Sequence, residues 1–161
     1  MTVRVASLAF VLYLFWLLLS GHYSPFLLGA GALAAVGIAL AGRPFGYADR
    51  EGHPVELIAS GFRYWPWLVV EIAKSSLSVS RVILSPSLPI SPRVVKLKAG
   101  PRTAVGMATY ANSITLTPGT ITIEADRHHH WVTVHALTED GASGLAGGDM
   151  DRRVTSFEDE R

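Results

Sequence analysis

The 161 residues contain no cysteine, which excludes disulfide staples, thiolate chemistry and cysteine-ligated zinc. Charge is also scarce. Asp, Glu, Lys and Arg make up 17% of the chain and nearly cancel to a net +1, with no concentrated basic surface for phosphate, so a nucleic-acid partner is set aside. The spacing builds neither a nucleophile, histidine and carboxylate arrangement nor a phosphate-cradling loop, so no catalytic residue and no cofactor are expected. His128, His129 and His130 stand side by side, but adjacent positions in a short turn do not converge on one ion and no carboxylate cluster completes a site. They read as a solvated loop.

What the chain does have is apolar: 49% hydrophobic residues and a mean hydropathy of +0.31, too much for an ordinary soluble domain of this size. The charge is unevenly placed. Between Val5 and Gly42 there is no Asp, Glu, Lys or Arg. Two apolar runs, Val5 to Leu19 and Phe26 to Ala41, flank the turn Ser20-Gly21-His22-Tyr23-Ser24-Pro25. At about 1.5 Å per residue they reach roughly 23 to 26 Å, nearly a bilayer core once interfacial residues are added. A signal peptide is the rival reading, but no small-x-small cleavage site follows Leu19 and a second apolar run begins almost at once. The expectation is a membrane hairpin with helices at about 3–20 and 25–42. Gly29, Gly31 and Gly37 keep the second helix smooth, which favours close approach by another helix. Arg4, Arg43 and Arg50 flank the hairpin while its turn carries no Lys or Arg, which puts both hairpin ends in the cytoplasm. His22, alone in that turn, reads as solvated.

The segment 55–84 is long enough to span a membrane yet carries Arg63, Glu71, Lys74 and Arg81. At 100° per residue these fall on one face with Trp67 and Ser78, while Ile58, Phe62, Trp65, Val69, Ile72, Val79 and Ile83 form the other. Two readings stand, an interfacial amphipathic helix and a third span. The first is favoured, because charges at the bilayer centre cost about 2.5–3.5 kcal/mol each and a third crossing would put Arg93, Lys96, Lys98 and Arg102 outside. Pro66 is expected to kink the segment or begin a new helix.

Three prolines between Ser85 and Pro92 define a stiff connector. Beyond it the pattern predicts a strand over Arg93–Ala99, a helix over Pro101–Leu116 and two half-buried strands over Gly119–Ala125 and Trp131–Leu137, with Ile121 and Ile123 on the apolar side of the first. A glycine-rich loop over Gly141–Gly148 and a final helix over Asp149–Glu160 follow. The fold class is therefore an α-helical membrane hairpin plus an amphipathic helix, followed by a small α+β (β-α-β-β-α) domain. The organisation is a membrane region over 1–84, a connector over 85–92 and a cytoplasmic domain over 93–161. In the stretch Ala111-Asn112-Ser113-Ile114-Thr115-Leu116-Thr117-Pro118-Gly119-Thr120 the hydroxyls suit a helix-to-strand corner, and Pro118-Gly119 supplies its turn.

That ten-residue stretch, the strand Ile121-Thr122-Ile123, the run Val134-His135-Ala136-Leu137, the connector and Glu71-Ile72-Ala73-Lys74-Ser75-Ser76 together resemble the E-type small subunit of the Mrp-type (Mnh or Pha) multisubunit Na+/H+ antiporters. The likeness runs nearly end to end. It implies a non-catalytic accessory subunit in a bacterial cytoplasmic membrane, among large complex-I-like subunits and several small ones, with the lipid bilayer as the other partner. An independent membrane-anchored module that recruits a cytoplasmic partner is the alternative. Candidate subunit-contact residues are Gly29, Gly31 and Gly37 in the hairpin, Arg63, Trp65, Trp67, Glu71 and Lys74 in the third segment, and Asn112, Thr115 and Thr117 in the motif.

Overall fold

The charge-free run folds as two helices, α1 (Val3–Ser20) and α2 (Pro25–Ala41), the latter followed by a 3-10 turn at Arg43–Phe45. The computed structural model describes residues 3–45 and 57–159 and separates into two units, Met1–Glu56 and Leu57–Arg161. Between α1 and α2 the chain reverses through Gly21, whose φ of 61° lies in the left-handed region. Ser24 then caps α2 by accepting from the Leu27 N–H at 3.4 Å, and Pro25 occupies the first turn, where its missing N–H costs nothing. By length and composition α1 is long and apolar enough to cross a membrane; α2, at 17 residues, is shorter.

The two helices meet through small residues. Gly31, Ala35 and Ala39, four apart on α2, are buried, and a Cβ at Gly31 would collide with the Trp16 indole of α1. Most large apolar side chains of this unit point outward, among them Phe10, Phe15, Leu18, Phe26 and Leu33. A small cluster of Val5, Ala9 and Ala39 forms its interior.

The second unit begins with a 27-residue helix, α3 (Ile58–Leu84). Pro66 lies inside it, so no new helix begins there: the helix continues through the proline, whose missing N–H leaves the carbonyl of Phe62 without its helical donor. The connector leads into β1 (Arg93–Lys98), α4 (Ala104–Leu116), β2 (Thr120–Asp126) and β3 (Trp131–Ala136), then α5 (Glu139–Ala146) and α6 (Asp149–Asp159). The strands form an antiparallel sheet in the order β1-β3-β2, with a bulge between Thr122 and Glu124. Pro101 precedes α4 rather than opening it; Thr103 is the cap, accepting from the Gly106 N–H at 3.0 Å.

Two expectations are corrected. The glycine-rich run 141–148 is largely helical: Thr138 caps α5 by accepting from the Gly141 N–H, Glu139 and Asp140 suit its positive end, and Gly148, with φ at 70°, lets the chain leave. The domain order is therefore β-α-β-β-α-α. Ile121 and Ile123 are exposed, because β2 turns Thr120 and Thr122 toward α4 instead, where hydroxyls bond to helix carbonyls. The core is supplied by β3, whose Val132, Val134 and Ala136 are fully buried, together with Met107, Tyr110 and Ile114 of α4, Val154 and Phe157 of α6, and Tyr64 and Leu68 of α3.

Candidate functional site

The end of α4 spends its hydroxyls on its own carbonyls. Thr117 Oγ1 donates to the Ile114 carbonyl at 2.8 Å, and Thr120 Oγ1 reaches the same carbonyl at 2.7 Å. Thr122 Oγ1 donates to the Ala111 carbonyl at 2.9 Å, and Thr115 Oγ1 accepts from the Thr122 N–H at 3.1 Å. A helix leaves its last carbonyls without partners, and here threonines from β2 supply them. Gly119, with φ at 91°, completes the corner, and a Cβ on it would lie 2.9 Å from Val79 Cγ2 of α3. The corner is thus pressed against α3, and glycine is required by both the dihedral and the approach.

Beside the corner lies a cleft of about 470 Å³, bounded by α3, the connector, the Thr117–Thr120 corner and α5. Its walls carry the carboxylates of Glu71, Glu139, Asp140 and Asp149. Three of them are paired at the rim: Glu71 with Lys74 at 2.7 Å, Glu139 with Arg93 at 2.9 Å and Asp149 with Arg153 at 3.0 Å. A second cavity of about 80 Å³ lies where α3 meets α6, walled by Tyr64, Trp67 and Phe157 with Arg63 and Arg153 beside them. Arg153 stacks over the Trp67 ring at 4.5 Å.

The sequence-predicted contact residues are scattered by the fold. Trp67, Glu71 and Thr117 share the cleft, and Arg63 shares the smaller cavity with Trp67. Trp65, Lys74, Asn112 and Thr115 are exposed. Gly29 and Gly37 face open space, whereas Gly31 is taken up by Trp16 of the hairpin itself. Among the described residues no group of three or more His, Cys, Asp or Glu side chains is arranged to hold a metal. Asp126 instead holds the histidine turn: its carboxylate contacts His129 Nδ1 at 2.6 Å and accepts from the His128 and His129 N–H groups. The His129 side chain first, and then these backbone bonds, lower the Asp126 carboxyl to about 2.

Sequence reasoning missed how α6 binds the start of α4. Buried Glu158 accepts from the Arg102 N–H at 3.0 and 3.1 Å and from the Thr103 N–H at 3.0 Å, while Asp151 accepts from the Gly100 N–H at 2.7 Å. A Cβ on Gly106 would collide with Glu158, so that glycine admits the carboxylate. The signal was there, since Asp151 and Glu158 are seven apart and lie on one helix face beside Val154. Tyr64 of α3 is buried. Its hydroxyl meets Ser113 Oγ at 2.6 Å, and because Ser113 donates to the Thr109 carbonyl, Tyr64 is the donor. Burial, followed by the neighbouring Asp151 and Tyr64, pushes the Tyr110 phenol well above its usual range.

A family model described as Na+/H+ ion antiporter subunit (MNHE) matches residues 9–156. A chain in the structure of an archaeal respiratory membrane complex, the membrane-bound sulfane sulfur reductase, is similar over 97% of this chain and 99% of its own, with 28% identity and a TM-score of 0.69. A chain in the structure of the Mrp complex from Dietzia sp. DQ12-45-1b has 25% identity over 60% of this chain and 84% of its own, with a TM-score of 0.36. No curated protein matches the chain.

Proposed function

Because the chain belongs to the MNHE family of Na+/H+ ion antiporter subunits, we propose that it is a non-catalytic accessory subunit of a multisubunit monovalent cation/proton antiporter in a bacterial cytoplasmic membrane, supporting assembly of the ion-translocating subunits. Its partners are other subunits of that assembly. The observation that carries the reading is the family match across residues 9–156, most of both units. The near-complete likeness to a chain of a respiratory membrane complex adds support, since that chain too is part of a larger membrane assembly.

The physical reading agrees. Neither α1 nor α2 contains a charged residue apart from Arg4, so the hairpin offers nothing along its length for an ion to exchange with; transport belongs to the complex. In this reading α1 and α2 form a membrane hairpin with both ends in the cytoplasm, α3 runs along the membrane surface, and the α+β domain is cytoplasmic. Gly29 and Gly37, open on α2, receive a neighbouring helix. On the second unit, Trp65, Lys74, Asn112 and Thr115 are the exposed candidates for subunit contact. The cleft of about 470 Å³ favours a second reading, a membrane-anchored module that recruits a soluble partner.

Deleting the chain in its native host separates the two. The accessory reading expects the antiporter to disappear as a full-size complex on a native gel, with cation/proton exchange lost from membrane vesicles. An intact complex with unchanged exchange would contradict it.

A further inference from the structure

β3 is the middle strand of the sheet, and its residues alternate between two faces. Val132, Val134 and Ala136 are buried in the core, while Trp131, Thr133 and His135 point to the opposite face. The register sets that second face out in three rows: Val94 and Ile121 flank His135, Lys96 and Glu124 flank Thr133, and Lys98 and Asp126 flank Trp131. The bulge at Ile123 is what brings Glu124 to this side, since without the extra residue it would follow Thr122 and turn inward at the next pair. Val94, Ile121 and Ile123 are 62%, 51% and 59% exposed, so the end of the face around His135 is apolar and uncovered.

Charge divides the same face lengthwise. Lys96 and Lys98 stand on β1, Glu124 and Asp126 on β2. Asp126 is held by His129, and Lys96 lies over the Trp131 ring at 5.3 Å, a contact that leaves its charge uncompensated. Among the described residues neither Lys98 nor Glu124 has an ion-pair partner. One edge of the face is therefore basic and the other acidic.

That polarity selects the occupant. Two such sheets related by a two-fold axis along β3 lay β1 of one copy over β2 of the other with their rows in step. Lys96 then meets Glu124 and Val94 meets Ile121, each contact made twice, with Thr133 on the axis. A two-fold axis across the strands does the reverse, setting Lys96 against Lys96 and Glu124 against Glu124. A lipid surface, with no such division by sign, matches neither edge in particular. We infer that this face docks a second copy of the chain, sheet on sheet, about the axis along β3.

Three short strands give less area than the roughly 800 Å² per partner of a standard interface, so the contact holds only where two copies are already confined together. A shared membrane supplies the confinement, and to that extent the inference rests on the reading of α1 and α2 as a membrane hairpin.

The chain has no cysteine, so one introduced thiol is the only crosslinking site. Thr133→Cys lies on the axis, with His135→Cys as a second axial position in case the first misfolds, and Asn112→Cys on α4 is the control off the sheet. The full chain is reconstituted sparsely in vesicles and treated with a short bismaleimide, because sheets about 10 Å apart hold the two Cα atoms beyond disulfide reach. A covalent dimer is expected from the thiol at 133 and not from the thiol at 112. Adding either Lys96→Glu or Glu124→Lys is expected to abolish it, and adding both to restore it. Equal crosslinking at 133 and 112 overturns the inference, as does a dimer indifferent to either charge reversal or one still missing in the double reversal. A chain that does not float with the vesicles refutes the membrane hairpin and the confinement with it, a failure read separately from the other three.

Discussion

The two units bury opposite kinds of residue. In the hairpin, glycine and alanine lie inside, at Gly31, Ala35 and Ala39, while Phe10, Phe15, Leu18 and Leu33 face out. In the second unit the large residues go inside, with Tyr110, Ile114, Val132, Val134 and Val154 nearly or fully buried. The second unit also buries polar groups: Ser113, Thr117 and Glu158 are each closed off and hydrogen-bonded, while the buried Ser60 hydroxyl has no hydrogen-bond partner among the described residues. Water explains the second arrangement, since burying large apolar area is the main gain of folding there. The hairpin has no such gain to draw on if lipid surrounds it, and close backbone approach takes over. Each unit is therefore most sensitive to a different kind of substitution.

The largest expected effect is in the second unit. Glu158→Ala strips the start of α4 of its acceptor and leaves two N–H groups unpaired, for a loss of about 2–4 kcal/mol. Denaturant melts of the detergent-solubilised chain, followed by Trp fluorescence, would record it. In the hairpin, Gly31→Leu must displace Trp16 and costs about 1–3 kcal/mol, whereas Gly37→Leu meets open space and leaves the hairpin intact. Crosslinking between cysteines placed on α1 and α2 separates the two variants, and Trp16→Ala should restore the pairing lost in Gly31→Leu. If both glycine variants behaved alike, the distinction between the inner and outer faces of α2 would be wrong.

Smaller again is Tyr64→Phe, which deletes the bond to Ser113 while keeping the ring, for about 0.5–1.5 kcal/mol. It sharpens the comparison, because it tests whether α3 is bound to its unit by a polar contact as well as by packing. The smallest effect lies at the hairpin of β2 and β3. The Asp126 carboxyl, lowered from 3.8 to about 2, has its folded value below its unfolded one. Its contribution to stability is thus present above the unfolded value and is lost as pH falls through about 2. His129→Ala should return it toward 3.8, read by NMR titration of the side chain, and so remove this small contribution at pH above the unfolded value while changing nothing below about 2.

Much of this was legible from residue pattern. The bounds of α1 and α2 follow from the charge-free run and from Ser24-Pro25, a cap and first-turn pair that acts locally. The strands followed from alternation, but alternation does not say which side is the core. Ile121 and Ile123 looked buried and are not, because the hydroxyls of Thr120 and Thr122 were needed at the α4 corner. The run 141–148 looked like a loop by its glycines, and a capping threonine with two acidic residues outweighed them. The sharing of a core between α3 and the domain was not legible at all, since it depends on contacts across about fifty positions, such as Tyr64 with Ser113. Of the candidate contact residues, Gly31 shows the limit best: its smallness was readable, but not that Trp16 would use it.

The central claim, membership of an antiporter assembly, is most directly tested by purifying the chain in mild detergent from its native membrane with a tag after Arg161, then identifying and counting what accompanies it. The account predicts large multi-span antiporter subunits in fixed ratio to this chain. Recovery of the chain alone, or with a soluble partner only, would contradict it.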